Sequence, residues 1–231
     1  MKIAIIPARG GSTRIPRKNI KFFLGKPIIA YSIEVALESK VFDRVIVTTD
    51  DEEIASVARE WGAETPFIRP SELGNDAVGT NEVVKHAIEW LIADGEQVDL
   101  VCAIYATAPF VRAEYLQKGL ENIQNNNKQL SFSATSFPFP IQRAFKLTEK
   151  GEAEMFWPEH YASRSQHLEE AYHDAGQFYW GTADAFLNSI MMFSHDAIPV
   201  ILPRHLVQDI DTMEDWHRAE FMFKSLQLAE K

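Results

Sequence analysis

Two short segments at opposite ends of the chain carry the residue types that handle a charged ligand. The first is Pro7-Ala8-Arg9-Gly10-Gly11-Ser12-Thr13-Arg14-Ile15-Pro16-Arg17-Lys18-Asn19, which follows the apolar run Ile3-Ala4-Ile5-Ile6. Such a run reads as a short buried strand. Paired glycines let the backbone turn sharply and approach a ligand closely. Arg9, Arg14, Arg17 and Lys18 then set fixed positive charge beside exposed N–H groups, which together make a polyphosphate cradle. The second segment is Asp209-Ile210-Asp211. An extended chain points its two carboxylates to one side. Like charges so close call for a cation or for solvent, and Mg2+ favours one or two carboxylates plus phosphate oxygens. Asp-x-Asp is also common on plain surfaces, so its meaning depends on the loop it would meet.

Several other chemistries are excluded. Gly25-Lys26 is followed by proline, so no Walker A motif is present, and no G-x-G-x-x-G occurs. The seven histidines show no HExxH spacing, and no Gly-x-Ser-x-Gly elbow exists. His160, His167 and His173 are read as structural or supporting residues near the acceptor, His173 being the most interesting beside Asp174.

Strand-like and helix-like segments alternate around these residues. Helical periodicity covers 28–39. The β-branched run 44–49 ends at Asp50-Asp51, which caps a helix over 52–61 that Gly62 stops. A short strand-like piece at 65–69 follows. Thr80 is placed to cap a helix with Val83, Val84, Ala87, Ile88 and Leu91 on one face. A buried strand over 100–105 and a helix over 113–125 complete this part. The rhythm dictates an α/β fold with a mostly parallel sheet and helices on both faces. Ligands in such sheets bind beyond the carboxyl ends of the strands. That places the loop, Thr48-Thr49-Asp50 and Thr107-Ala108-Pro109 along one edge. After the strand at 131–136, Phe137-Pro138-Phe139-Pro140 opens an excursion over 137–172, read as β-rich and involved in dimerisation and acceptor binding. Strands at 176–180 and 198–202 and a helix over 213–228 finish a single domain of 231 residues.

The charge distribution supports a small anionic ligand. The formal net charge is −10, yet Met1 to Ile33 holds seven of the 23 basic residues and none of the 33 acidic ones. An acidic body lacks the broad basic face that nucleic acid requires; a solvated basic loop is the ordinary alternative. The single cysteine, Cys102, excludes an internal disulfide and is expected to be buried and inert. No membrane span or signal peptide is read, so a cytoplasmic protein is expected.

The pattern Ala-Arg-Gly-Gly-Ser-x-x-x-Pro-x-Lys-Asn, followed by Gly25-Lys26-Pro27, resembles the signature of CTP-using sugar nucleotidyltransferases, and within them the cytidylyltransferases that activate nonulosonic acids. The resemblance covers nearly the whole chain and implies a Rossmann-like, three-layer αβα nucleotidyltransferase fold acting as a homodimer. It assigns the nucleotide to Ala8, Arg9, Gly10, Ser12, Arg14, Lys18, Asn19, Thr80, Tyr105 and Thr107, with Arg9, Lys18 and Asp211 as the catalytic set. Thr13 stands where the sialic acid enzymes carry lysine. Ser12-Thr13-Arg14 instead looks like the enzymes acting on 3-deoxy-manno-octulosonate, so Arg14 is expected to replace that lysine. Tyr105 stands where glutamine is usual, beside the segment Ala106-Thr107-Ala108-Pro109. Asp209 and Asp211 fall where the family holds metal, which implies Mg2+.

Asp174-Ala175-Gly176-Gln177-Phe178-Tyr179-Trp180, with Phe137 to Arg143 upstream, looks like the pseudaminic acid cytidylyltransferases. The expected sugar-binding residues are Tyr105, Arg143, Arg164, Gln166, Gln177, Phe178 and Tyr179. An arginine there pairs with the sugar carboxylate, and aromatics pack on its methyl groups; each aromatic is equally readable as core. The implied reaction joins CTP and pseudaminic acid to give CMP-pseudaminic acid and diphosphate. The alternatives are the same chemistry on legionaminic acid, sialic acid or 3-deoxy-manno-octulosonate, and a non-catalytic nucleotide-binding regulator. No nucleic acid or membrane partner is expected.

Overall fold

The computed structural model describes residues 1–75 and 78–229. The chain runs β1 (Lys2–Pro7), the tight hairpin β2 (Phe22–Phe23) and β3 (Lys26–Pro27), α1 (Ile28–Ser39), β4 (Arg44–Thr48), α2 (Glu52–Glu60), α3 (Thr80–Ala93), β5 (Leu100–Ile104) and α4 (Ala113–Asn126). It continues through β6 (Leu130–Ser136), β7 (Phe145–Leu147), β8 (Ala153–Met155), β9 (Tyr172–Thr182), α5 (Ala183–Leu187), β10 (Ala197–Ile201) and α6 (Met213–Ala229). The main sheet has the order β10-β6-β9-β5-β1-β4. Strand β1 pairs in parallel with β4 and β5, and β10 in parallel with β6. Strand β9 is antiparallel to both of its neighbours. The excursion leaves β6 and re-enters at the same end of the sheet, where Phe137 N–H donates to Ala171 O. The returning strand must therefore run backwards.

Alternation along the strands divides the core in two. Ala4 and Ile6 of β1, Val45 and Val47 of β4 and Phe178 and Trp180 of β9 pack with Ile29, Ile33, Ile54 and Leu116 from α1, α2 and α4. Ile3 and Ile5, Ile46 and Tyr179 face the other way, against Val84, Ile88 and Leu91 of α3 and Phe186 of α5. This is the αβα layering that period-two alternation requires. A third cluster lies at one end of the sheet. Ile15, Phe23, Ile28, Phe110, Leu206, Ile210, Trp216 and Ala219 bury together there. It joins the N-terminal loop to α6.

Three local expectations change. Residues 65–69 form no strand: Glu64 just before them bonds Val45 and Val47 of β4, Arg69 N–H donates to Thr49 O past the end of β4, and Pro66 between them lacks an N–H donor. Thr80 is the first residue of α3 and Gly79 occupies the cap position. The excursion is only partly β, holding the short antiparallel β7–β8 pair and three single 3-10 turns.

Candidate active site

The N-terminal loop is fastened at its root. Ala8 N–H donates to Thr48 O at 3.0 Å, and Gly10 N–H donates to the Asp50 carboxylate at 2.9 Å. A side chain at Gly10 would come within 2.8 Å of Asp51 Oδ2, so the close approach requires glycine. Asn19 is buried and its Nδ2 donates to Arg9 O at 2.9 Å, closing the loop on itself. Ile15 is fully buried in the third cluster. It anchors the loop's centre while its polar neighbours stay at the surface.

One of the four cations is diverted. Arg17 takes a left-handed backbone (φ 55°). Its guanidinium binds Asp51, at 3.0 Å through Nη2, and Glu53 at the start of α2. The hydrogen bond from Arg17 holds the Asp51 carboxyl below its ordinary range. Arg17 therefore locks the loop to α2 while Arg9, Arg14 and Lys18 line a cleft of about 280 Å³. Ser12, Asn19, Thr80, Tyr105, Thr107 and Asp211 line it too. Ala8 and Gly10 do not line it: their N–H groups bond Thr48 O and Asp50, and the Ala8 side chain is buried in the core.

The distant carboxylate segment closes on the loop. Arg14 Nη2 donates to Asp211 Oδ1 at 2.9 Å. Lys18 Nζ donates to Ile210 O at 2.6 Å and lies 3.6 Å from Asp211 Oδ1. Burial lowers the Lys18 pKa, and Asp211 and Asp209 oppose that shift. Asp209 reaches solvent and lies beside Gly176 of β9. Surrounding protein, and then the Asp211 charge, raise its pKa. Between them Ile210 is fully buried. Asp215 secures the segment: its carboxylate accepts from the N–H groups of Asp211 and Thr212, while its own N–H donates to Thr212 Oγ1.

Asp209 and Asp211 are hard oxygen donors of the kind magnesium takes. Among the described residues no three His, Cys, Asp or Glu side chains converge on a metal-sized site. A carboxylate pair without a third ligand suits Mg2+ that arrives with phosphate oxygens.

The expected sugar-binding residues separate into three groups. Tyr105 and Tyr179 line a second pocket of about 330 Å³ with Thr80, Asp174, Phe186, Ile190 and Met192. Thr80 and Tyr105 belong to both cavities, so the two are contiguous. Phe178 and Gln177 are corrections. Phe178 is fully buried in the core, and Trp180 beside it stacks on Phe42 with its indole N–H bonded to Leu116 O. Gln177 is also buried, its Nε2 donating to Leu206 O. Arg143, Arg164 and Gln166 are exposed on the excursion and line neither cavity of this chain.

Sequence reading missed Arg69 and Asp215, and it set Asp50 on the ligand edge and Asp174 beside His173 without giving either a role in the site. Arg69 is 3% exposed, lines the cleft and sits 3.4 Å from Asp50. Its Nε has no hydrogen-bond partner among the described residues. The legible signal for Asp215 was Thr212-x-x-Asp215, a capping-box spacing. For Arg69 and Asp50 no motif exists; the cleft assembles them from separate segments. Cys102 is buried as expected, and burial raises its thiol pKa well above the usual range. No helix among the described residues is long and apolar enough to cross a membrane.

Residues 3–180 match the family described as Cytidylyltransferase. The chain is 49% identical over 222 residues to the pseudaminic acid cytidylyltransferase of Campylobacter jejuni, covering 96% of each. It is 29% identical to the CMP-N,N'-diacetyllegionaminic acid synthase of Legionella pneumophila, covering 98% of each. Among solved structures, a CMP:2-keto-3-deoxy-manno-octonic acid synthetase complexed with CTP superimposes with a TM-score of 0.70 at 15% identity, over 97% of this chain and 98% of that one, a likeness of fold. The chain belongs to the cytidylyltransferase family.

Proposed function

We infer that this cytidylyltransferase joins CTP to pseudaminic acid, releasing diphosphate and forming CMP-pseudaminic acid. The observation that carries the reading is the meeting of the loop cations with Asp211 across the mouth of one cleft, in a chain half identical to a relative of that name. The same relative supports pseudaminic acid over its alternatives. CTP fits the cleft with its triphosphate along Arg9, Ser12, Arg14 and Lys18. The buried Arg69 and Asn19 and the half-buried Thr80 remain for the nucleoside side. The sugar's anomeric hydroxyl attacks the α-phosphorus directly, losing its proton to solvent, and diphosphate leaves with the bridging electron pair. Arg9, Arg14 and Lys18 stabilise that leaving charge from fixed positions. Positioning and charge stabilisation carry the reaction, with no covalent enzyme intermediate.

Asp209 and Asp211 would hold Mg2+, which when bound screens the two anionic substrates from each other and makes the hydroxyl more acidic. In the structure Arg14 and Lys18 hold Asp211. Bound triphosphate draws those cations to itself and frees the carboxylate. The pocket beyond Tyr105 receives the sugar. The excursion presents Phe139, Phe145, Leu147, Phe156 and Tyr161, each more than half exposed, and such a surface supports a homodimer. In that dimer Arg143, Arg164 and Gln166 would serve a partner's acceptor site. The cytoplasm, where CTP is made, is the compartment this activity requires. The deciding assay is diphosphate release from CTP across pseudaminic, legionaminic and sialic acids and 3-deoxy-manno-octulosonate, with and without magnesium. Pseudaminic acid is expected to give the highest kcat/KM, and turnover to require the metal. CTP binding with no diphosphate release from any acceptor would support a regulator instead.

A further inference from the structure

We propose that Asp50 is a positioning residue for the nucleotide: one of its carboxylate oxygens holds both the phosphate-side loop, at Gly10, and the buried guanidinium of Arg69, and so fixes the separation of two walls that CTP bridges. This rests on the reading of that cleft as the CTP site.

The strand ends bring these groups together. Strands β1 and β4 run parallel with Pro7 opposite Thr48, so the chain leaves both at one edge of the sheet. Asp50 Oδ1 accepts from Gly10 N–H at 2.9 Å and from Arg69 Nη2 at 3.4 Å. Thr49 O accepts from Arg69 N–H at 2.8 Å, so Arg69 is tied to the end of β4 by backbone and side chain together. The other carboxylate oxygen has little room to turn. A side chain begun at Gly74 would come within 2.5 Å of Asp50 Oδ2. Arg69 lines the cleft and Asp50 does not, so Asp50 acts through its partners.

The Arg69 side chain is 2% exposed. A guanidinium buried to that degree needs a paired charge. Burial lowers its pKa, and the Asp50 charge opposes that shift. Its Nε has no hydrogen-bond partner among the described residues. The hold on Nη2 therefore keeps the guanidinium in place and leaves Nε for an acceptor on the ligand. Gly10 N–H is spent on Asp50, so the loop offers phosphate its cations rather than this amide. The Asp50 charge by itself disfavours a triphosphate nearby. If charge were its whole effect, removing it would tighten CTP binding; positioning predicts the opposite sign.

The test compares the full-length wild type with D50N, Arg69→Met and the double variant. CTP affinity is read by calorimetric titration, with KM for CTP and for whichever nonulosonic acid the wild type turns over best. Asn keeps the size and an oxygen for Gly10 N–H, and removes the charge that faces Arg69. D50N should weaken CTP binding about tenfold, with the sugar KM within twofold. Arg69→Met should weaken it at least as much, and the double variant should bind CTP within twofold of Arg69→Met alone, because Asp50 acts through Arg69. That last comparison decides the matter even where D50N, its buried cation uncompensated, fails to fold, since the double variant carries no such cation. CTP affinity in D50N or in Arg69→Met equal to or tighter than wild type overturns the proposal, and so do additive losses in the double variant. An equal rise in both KM values marks general loosening and overturns it too. A wild type that binds no CTP removes the reading of the cleft itself and this proposal with it. That result differs from variants that merely behave like wild type.

Discussion

Asp211 faces two cations, bonding Arg14 and lying 3.6 Å from Lys18, and each has a separable role. Asp211→Asn should lower turnover by about 10²-fold or more while leaving thermal melting close to wild type. Near-normal diphosphate release would refute the metal assignment. Arg14 reaches Asp211 from the loop. Arg14→Ala should raise KM for CTP about tenfold with a smaller effect on the sugar, measured in the same assay. Unchanged CTP binding and turnover would remove Arg14 from the triphosphate site. Surrounding protein, and then the Asp211 charge, raise the pKa of Asp209. In the proposed magnesium role Asp209 must be ionised, so the magnesium dependence should weaken as pH falls through that raised value, at a higher pH than an ordinary aspartate would show. Titrating the magnesium dependence of turnover at several pH values tests this.

At the scale of elements, the third hydrophobic cluster brings two distant segments into one site. Ile15 sits one residue after Arg14, and Ile210 sits between Asp209 and Asp211; both are fully buried in that cluster. Burying the apolar residue fixes where its charged neighbours emerge. Ile210→Ala should cost about 2–5 kcal/mol of stability and weaken CTP binding as well, because the carboxylates lose their register with the loop. A melting curve and a CTP titration on one sample separate the two effects. The loop's other fastening is Asp51, which caps α2 through Ile54 N–H and binds Arg17. Its folded pKa is lowered, first by the Arg17 hydrogen bond. The stability it contributes is thus fully present above the unfolded value of about 3.9 and is lost as pH falls through the lowered folded value. Asp51→Ala should destabilise by about 1 kcal/mol near neutrality, and denaturation midpoints of variant and wild type should converge only as pH falls through that lowered folded value.

Across the whole molecule, the candidate cleft lies at the carboxyl end of a largely parallel sheet, as doubly wound topology favours. The excursion is where a second chain would dock. Leu147→Asp combined with Phe145→Asp should yield a monomer by light scattering where the wild type has twice the mass. A wild type that is already monomeric would refute the dimer. The sequence by itself determined a good deal. Alternating periodicities fixed the α/β layering, and residues 7–19 carried a polyphosphate signature in their own composition, because glycine freedom and guanidinium charge are local properties. Asp209-Ile210-Asp211 was legible as a pair for the same reason. Only the tertiary structure decided which residues those segments meet. Arg17 looked like the other loop cations until the left-handed turn carried it to Asp51. Phe178 and Tyr179 are adjacent aromatics of one strand, yet strand alternation buries the first in the core and turns the second to the pocket. Arg69 and Asp50 acquire a role only where the end of β4 and the segment after α2 come together beside the loop. Long-range contact, unlike backbone preference or charge, leaves no mark in the order of residues.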